Sequence, residues 1–169
     1  MTDWTVRGLE IKTQAERPVV YSPEERRRRD QTGWTLVQGI LAPVQFVVFL
    51  VSLGLVLRYL LTGDGLAVAG WSVVIKTAVL LLIMVTGAIW EKVVFGQYLF
   101  ARPFFWEDVV SMLVIALHLA VTMAWFGWGL HLSDQSAMGL ALLAYASYLI
   151  NAAQFLRKLR LARQEARHA

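Results

Sequence analysis

The 169-residue chain is 57% hydrophobic and 17% charged, has a mean hydropathy of +0.54 and carries a formal net charge of +4. This balance is too apolar for a soluble domain of that length and indicates a membrane protein. The absence of cysteine excludes disulfides, thiolate nucleophiles and cysteine-ligated metal sites.

Four apolar stretches are long enough to cross the roughly 30 Å hydrocarbon core of a bilayer as helices. They are Trp34–Leu57, Leu66–Trp90, Val109–Leu130 and Gln135–Leu156. We therefore predict an all-α polytopic membrane protein, a four-transmembrane-helix bundle spanning residues 34–156. Residues 1–33 would form a tail and a juxtamembrane basic helix, and residues 157–169 a basic C-terminal helix.

The basic residues predict the orientation of this bundle. Fourteen of the 16 Lys and Arg residues precede the first span, lie between the second and third spans, or follow the fourth. The positive-inside rule places these three regions, and so both termini, in the cytoplasm. We expect the basic residues to contact lipid headgroups and not nucleic acid, because the aromatic residues lie in the spans. We also expect no cleavable signal peptide, the first span directing insertion.

The N-terminal region contains one clear helix start. Met1–Val20 shows no helical or strand period, and we interpret it as a tail. In Ser22-Pro23-Glu24-Glu25 the serine can cap, proline is tolerated at the first helical position, and glutamate at the third completes a capping box. The run Arg26–Arg29 follows directly and is typical of a basic collar beside a membrane.

Polar side chains recur on one face of the first span and one face of the fourth. These are Gln38, Gln45 and Ser52 in the first, and Ser147, Asn151 and Gln154 in the fourth. Hydrogen bonds between helices and contact with a substrate both explain such faces.

Lys76 is the only Asp, Glu, Lys or Arg within the four predicted spans. We interpret it as a lysine that snorkels to the outer interface, paired with Asp64 or Asp134. A functional charge is the alternative.

The stretch Gly87–His118 concentrates ionisable side chains at predicted helix ends. Glu91 ends the second span, and Glu107 and Asp108 precede the third. Acidic residues suit a helix N-terminus because its first N–H groups lack partners, so capping alone explains one of them. Because consecutive spans run in opposite directions, the three carboxylates reach the same membrane level. We predict Glu91, Glu107 and Asp108 as catalytic residues for proton transfer.

The connection Val93–Trp106 is rich in aromatic residues, and we expect it to lie in the membrane interface or to line a pocket. On the third span, Glu107, Ser111 and His118 share one stripe, with the imidazole about 16 Å deeper than the carboxylate. We interpret His118 as a ligand of a metal or of a pigment magnesium, or as a proton carrier. A hydrogen-bonded bundle histidine is the alternative.

Together these faces predict a polar pocket on the cytoplasmic side of the bundle. Its candidate binding residues are His118, Trp90, Lys92, Arg102, Phe104, Phe105, Trp106, Gln38, Gln45 and Asn151. The chain has no glycine-rich phosphate loop, nucleophile elbow or HExxH zinc motif, and we predict no protein-bound metal.

Two segments carry a resemblance to a known family. YSPEERRRRDQTGWTLVQGILAPVQFVVFLVSLGLVLRYL (Tyr21–Leu60) and IMVTGAIWEKVVFGQYLFARPFFWEDVVSMLVIALH (Ile83–His118) resemble the 3-vinyl bacteriochlorophyllide hydratases, integral membrane enzymes of bacteriochlorophyll biosynthesis. WEKVVFGQYLFA followed by FFWEDV is the most specific part. The resemblance implies addition of water to the C3 vinyl group of a chlorophyllide without an added redox cofactor, magnesium entering only as part of the pigment. It also implies a bacterial inner or intracytoplasmic photosynthetic membrane.

The candidate residues suit that reaction. Protonation of the terminal vinyl carbon leaves a cation delocalised into the ring, and water then attacks the inner carbon. We expect Glu107 or Glu91 to be the general acid, Asp108 to position water, and His118 to ligate the magnesium. Trp90, Phe104, Phe105 and Trp106 would stack on the macrocycle, and Lys92 or Arg102 would pair with its propionate.

Two other functions remain open from the sequence. A non-catalytic pigment-binding or photosystem assembly subunit would use the same pocket. A small proton-coupled carrier would use Glu91, Glu107 and His118 as a relay, although four spans would then have to dimerise. The expected partners are the chlorophyllide substrate and membrane lipids, with a homo-oligomer or other pigment-biosynthesis enzymes as further candidates.

Overall fold

The computed structural model describes residues 20–168, and every regular element within them is a helix. The five helices are α1 (Pro23–Gln31), α2 (Gly33–Thr62), α3 (Leu66–Phe95), α4 (Phe105–Trp125) and α5 (Asp134–His168). Each helix from α2 to α5 is long and apolar enough to cross a membrane. The predicted all-α fold with four spans is therefore confirmed. Apart from Val20, the predicted tail Met1–Val20 lies outside the described residues.

The outward faces of these helices are apolar, as contact with lipid requires. Leu36 is 68% exposed and Leu61 82% exposed, both on α2, and Val85 on α3 is 60% exposed. In a soluble protein such surfaces would promote association, whereas in a bilayer they face hydrocarbon. The polar face of α2 points inward, as the burial of Gln45 and Ser52 shows.

The helices form a closed four-membered bundle. α2 packs on α3 and α4 on α5, and contacts of α3 with α4 and of α2 with α5 complete the ring. The principal core includes Phe49, Val73, Val114, Met138 and Tyr145. A second apolar cluster lies at the end of the bundle that holds the α3–α4 connection, and it includes residues from the N-terminal segment and from α5. Glu91, near the end of α3, and Glu107 and Asp108, in the first turn of α4, lie at this end, and we call it the carboxylate end.

Glycines in the left-handed conformation determine where the spans stop. Gly63 (φ 78°) ends α2 and Gly96 (φ 85°) ends α3, each five residues or more beyond the predicted ends of the spans. A glycine that follows the last helical residue adopts positive φ without a Cβ clash, so the helix closes there. Gly127 and Gly129 also have positive φ, and α4 accordingly stops at Trp125 and not at Leu130.

The N-terminal capping box is present as predicted. Ser22 accepts a hydrogen bond from the backbone N–H of Glu25, and the Glu25 carboxylate accepts one from the backbone N–H of Ser22. α1 has no buried residue and is held by ion pairs within it, Arg28 with Glu24 and Arg29 with Asp30. It lies against α3 at the carboxylate end.

The interpretation of Lys76 as a snorkelling lysine paired with Asp64 or Asp134 is wrong. Its side chain is fully buried, and its Nζ lies 3.9 Å from the centre of the Tyr148 ring. α3 turns this position into the bundle, so the amine is surrounded by neighbouring helices and does not reach the interface. The aromatic face attracts the amine electrostatically.

Candidate active site

Two buried carboxyl groups face each other at the carboxylate end of the bundle. Glu91 is in the last turns of α3 and Asp108 in the first turn of α4, with 5% and 2% of their surfaces exposed. Their carboxyl groups are close enough to interact directly. The opposite directions of α3 and α4 bring together residues that are 17 positions apart, as the sequence predicts.

The connection between α3 and α4 holds this pair with consecutive backbone N–H groups. The N–H of Phe100 donates to Asp108 Oδ2 at 2.6 Å, and the N–H of Ala101 donates to Glu91 Oε2 at 3.2 Å. Phe100 has φ 60°, a left-handed conformation that is uncommon for a non-glycine residue. Successive N–H groups arranged this way form a concave binding site for negative charge. By accepting these two hydrogen bonds, the carboxyl groups hold the connection against the ends of α3 and α4. Two acidic side chains are thereby brought to one point.

Glu107 has a different environment from the other two carboxylates. Its Oε1 lies 3.2 Å from Lys158 Nζ on α5, and its backbone carbonyl accepts hydrogen bonds from Ser111 Oγ and Asn151 Nδ2. Lys158 also donates to the backbone carbonyl of Pro103. Glu107 thus joins α4 to α5 by charge and by hydrogen bonds, beside the Glu91–Asp108 pair.

The aromatic residues near the connection separate into two groups. Trp90, Phe95 and Phe104 are in mutual contact at centroid distances of 5.6–5.8 Å, and Tyr21 stacks on Phe95 at 5.7 Å. Tyr21 and Phe104 are buried, and Trp90 and Phe95 are half-buried. We call these four residues the buried aromatic cluster. Trp90 also donates to Thr35 on α2 at 3.0 Å.

Phe100, Phe105 and Trp106 form a second, exposed group on the outer surface. Trp106 is 69% exposed and Phe105 43% exposed, and their rings are 5.4 Å apart. The four aromatic residues predicted to stack on one ligand therefore do not share one surface. Phe104 is buried and Trp90 half-buried, whereas Phe105 and Trp106 face outward.

The predicted cationic residues lie at the rim of this end. Lys92 and Arg102 are exposed, and Lys92 donates to the carbonyl of Gly96 at 2.7 Å and lies 5.3 Å from the Tyr98 ring centre. The charged groups of Lys92 and Arg102 can therefore meet a ligand at the surface without first leaving the bundle interior.

The remaining predicted residues are divided between two depths. Asn151 lies beside Glu107, whereas Gln38 bonds Thr86 on α3 at 2.8 Å. Gln45 and His118 are fully enclosed nearer the middle of the bundle. The sequence thus groups into one pocket residues that the bundle separates along its axis.

Sequence reasoning missed Lys158 and Tyr21. Lys158 continues the polar face of the fourth span, because it follows Asn151 by seven residues and Gln154 by four. Extending that face beyond Leu156 would have pointed to it. For Tyr21, which lies before the first helix, the sequence holds no comparable signal. Within the described residues, no three His, Asp or Glu side chains are grouped as a metal site requires.

Comparison with known proteins finds relatives that match most of the chain. The sequence model of the 2-vinyl bacteriochlorophyllide hydratase family (BCHF) matches residues 21–161. The chain is 65% identical over 144 residues to the 2-vinyl bacteriochlorophyllide hydratase of Cereibacter sphaeroides, covering 85% of this chain and 88% of that protein. It is 61% identical over 150 residues to the protein of the same name from Rhodobacter capsulatus, covering 89% of this chain and 86% of the other. No solved structure matches the chain.

Proposed function

The chain belongs to the 2-vinyl bacteriochlorophyllide hydratase family, and from that premise we propose that it hydrates the C3 vinyl group of a chlorophyllide or bacteriochlorophyllide to a 1-hydroxyethyl group. It is a hydro-lyase of bacteriochlorophyll synthesis acting on a vinyl group of the pigment precursor. The family name numbers that vinyl group 2, and we assign it to C3, the position that the sequence resemblance implies.

The observation that carries the site is the buried Glu91–Asp108 pair beside the buried aromatic cluster. Hydration of a vinyl group needs an acid for the terminal carbon and a base for the attacking water. Two adjacent carboxyl groups that share one proton supply both functions, since one donates while the other accepts. The N–H groups of Phe100 and Ala101 hold the pair in position.

The reaction balances with this pair alone. The protonated carboxyl gives its proton to the terminal vinyl carbon, and the C=C π electrons form the new C–H bond. The positive charge at the inner carbon spreads into the macrocycle and is stabilised by the neighbouring carboxylate. Water forms a C–O bond to the inner carbon and gives one proton to a carboxylate, which restores the pair. No electron is transferred, and the step consumes only water.

The surroundings of the pair suit a flat, apolar substrate with an acidic edge. Trp90 and Phe104 would pack together against one side of the macrocycle, and Phe105 and Trp106 would meet it as it enters from the lipid. Lys92 or Arg102 would pair with the propionate at the rim. Glu107, with its Lys158 partner, would adjust the charge beside the pair.

We further propose the cellular setting that the sequence predicts. The protein would lie in the bacterial inner or intracytoplasmic photosynthetic membrane with both termini in the cytoplasm, and it would use no cofactor beyond the magnesium of its substrate. Association into homo-oligomers or with other pigment-biosynthesis enzymes remains part of this proposal.

The test is incubation of the purified protein in lipid nanodiscs with 3-vinyl chlorophyllide. We expect a blue shift of the long-wavelength absorption band and a mass gain of one water. Glu91→Gln and Asp108→Asn should each lower turnover by about 10²-fold or more, the usual contribution of a general acid or base.

Glu24→Gln is the matched control, because Glu24 is an exposed carboxylate on α1. It should turn over like the unmodified protein. Bound but unchanged pigment would favour the pigment-binding subunit, and near-normal turnover of both carboxyl variants would exclude the pair as the acid.

A further inference from the structure

Three polar side chains in the middle of the bundle have buried polar atoms that form no hydrogen bond with any described residue. They are Gln45 on α2, Lys76 on α3 and His118 on α4, and each is at most 2% exposed. Among the side chains that the structure describes, none forms a hydrogen bond with Lys76 Nζ, His118 Nε2 or either side-chain polar atom of Gln45. Leaving a polar group buried without a partner costs free energy, so such groups rarely gather at one place.

The register of α2 against α3 places Gln45 at mid-depth. Gln38 bonds Thr86 at 2.8 Å on one side, and Ser52 and Ser72 hydroxyls bond at 2.8 Å on the other. Gln45 lies seven residues from both α2 positions, halfway between these two contacts. It is therefore level with the centre of α3, within a turn of the lysine.

Aromatic contacts join the other two members at the same level. The Lys76 amine lies over the Tyr148 ring, and the His118 ring lies 5.7 Å from that of Tyr145. Both tyrosine rings contact Phe49, one turn after the glutamine on α2, at 5.0 and 5.5 Å. All four spans thus meet around one polar centre, which is distinct from the carboxylate end.

The donors and acceptors at this centre restrict what can occupy it. His118 Nδ1 lies 2.8 Å from the backbone carbonyl of Val114, which only accepts, so Nδ1 carries the hydrogen. In the neutral ring Nε2 is then an acceptor. Lys76 Nζ donates, and the Gln45 amide does both. An anion could accept from Lys76 Nζ but could not donate to His118 Nε2, and a protonated Lys76 would repel a cation. A ligand that both donates and accepts satisfies all three.

We propose that Gln45, Lys76 and His118 bind water at the centre of the transmembrane bundle. A buried water typically makes about three hydrogen bonds to polar groups that would otherwise be unpaired, and three side chains offer them here. Because all three side chains are at most 2% exposed, a small ligand is favoured over a macrocycle bound at Nε2. The proposal does not depend on the hydratase reaction or on its acid pair.

Water-edited solid-state NMR of the full-length protein in lipid bilayers tests this directly. His131 and His168 are replaced by asparagine, so that the ¹⁵N signals of the single remaining imidazole belong to His118. We expect rapid magnetisation transfer from water to Nε2 and to Lys76 Nζ, and an Nε2 shift typical of a hydrogen-bonded acceptor. An Nε2 signal with a free lone pair and no transfer from water would overturn the proposal, as would one that responds to chloride but not to water.

Variants separate a bound water from a dry cluster. Lys76→Met and Gln45→Leu should each weaken the water transfer to Nε2 several-fold. Thr122→Val is the matched control, because the Thr122 hydroxyl bonds Thr77 and the backbone carbonyl of His118 and is not itself one of the unpartnered atoms. Its water transfer should equal that of the unmodified protein. Equal loss in Thr122→Val and Lys76→Met would contradict the site, and if Lys76→Met does not fold, the unmodified protein and Gln45→Leu still decide.

Discussion

Glu107 and Glu91 have the same side chain and nearly the same membrane level, yet their contacts suit different work. The Glu107 carboxylate is bound by the amine of Lys158, whereas Glu91 faces Asp108 and a backbone N–H. A proton donor must present its carboxyl group to the substrate, and the Glu107 carboxylate is already bound by a cation. We therefore assign the acid to the Glu91–Asp108 pair, and the role of Glu107 as acid stays a prediction that the vinyl-hydration turnover of Glu107→Gln would decide.

Replacing Lys158 should show how much its ion pair with Glu107 contributes to the free energy of unfolding. Lys158→Met leaves the largely buried Glu107 carboxylate without its cation, so we expect a loss of about 1–2 kcal/mol in the free energy of unfolding. The double variant Lys158→Met/Glu107→Gln should recover most of that loss. Denaturant unfolding in mixed micelles, read as a double-mutant cycle, measures the coupling. A coupling near zero would mean that the pair is only a surface contact.

Tyr21 fastens the N-terminal segment to the bundle. Its ring stacks on Phe95, the guanidinium of Arg29 lies 4.7 Å from its centre, and the neighbouring N–H of Val20 donates to Glu165 on α5. Burial raises the pKa of the Tyr21 phenol from 10.0 to about 12, an effect that the nearby Arg29 partly opposes.

This raised pKa predicts a pH at which the segment loosens. The folded state holds the phenolic proton more tightly than the unfolded state, so the stabilisation is complete below pH 10 and is lost as the pH rises towards 12. Ring-¹³C NMR of Tyr21 should report its release in that interval. Tyr21→Phe keeps the stacking and removes the titrating group, so its segment should stay docked. Identical alkaline release in both proteins would refute the role of the phenol.

The contact between α3 and α4 depends on one missing side chain. A Cβ placed on Gly70 would overlap the indole ring of Trp125, whereas a Cβ on Gly54 would meet nothing within 4 Å. Small residues allow membrane helices to approach closely where a larger side chain would separate them. Gly70 thus lets the last turn of α4 pack onto the first turns of α3.

Adding one methyl group at Gly70 should therefore separate these helices. We expect Gly70→Ala to lower the free energy of unfolding by about 1–3 kcal/mol through overpacking, and to change the fluorescence of Trp125. The matched change Gly54→Ala should be neutral or stabilising by up to about 1 kcal/mol, because alanine favours the helix. Similar effects at both glycines would show that the close approach does not matter.

The orientation of the assembled bundle is open to a clean labelling experiment, since the chain contains no cysteine. Asp64→Cys lies between α2 and α3, and Arg102→Cys lies between α3 and α4 at the opposite end. If the termini are cytoplasmic, a membrane-impermeant thiol reagent added to intact cells should label position 64 and not position 102. Inverted vesicles should give the reverse result. Labelling of position 102 alone in intact cells would reverse the predicted topology.

Much of this architecture follows from local patterns in the chain. Four runs of apolar residues, each long enough as a helix to cross a bilayer, predict the four spans. The Ser22–Glu25 spacing predicts the capping box. The meeting of Glu91 with Asp108 also follows, because alternating helices with short connections bring the end of one span beside the start of the next. These features depend on periodicity and chain direction, which the sequence contains explicitly.

Other features required the packed bundle. The sequence around Lys76 is equally compatible with a lysine that snorkels and with one that points inward. Only the rotation of α3 against its neighbours places its amine on Tyr148. In the same way, the packing of α5 on α4 brings Lys158 to Glu107. Periodicity tells which residues share a helix face. Which neighbour that face meets depends on the rotation and depth of every helix at once, and this is set by side-chain packing between segments distant in the chain.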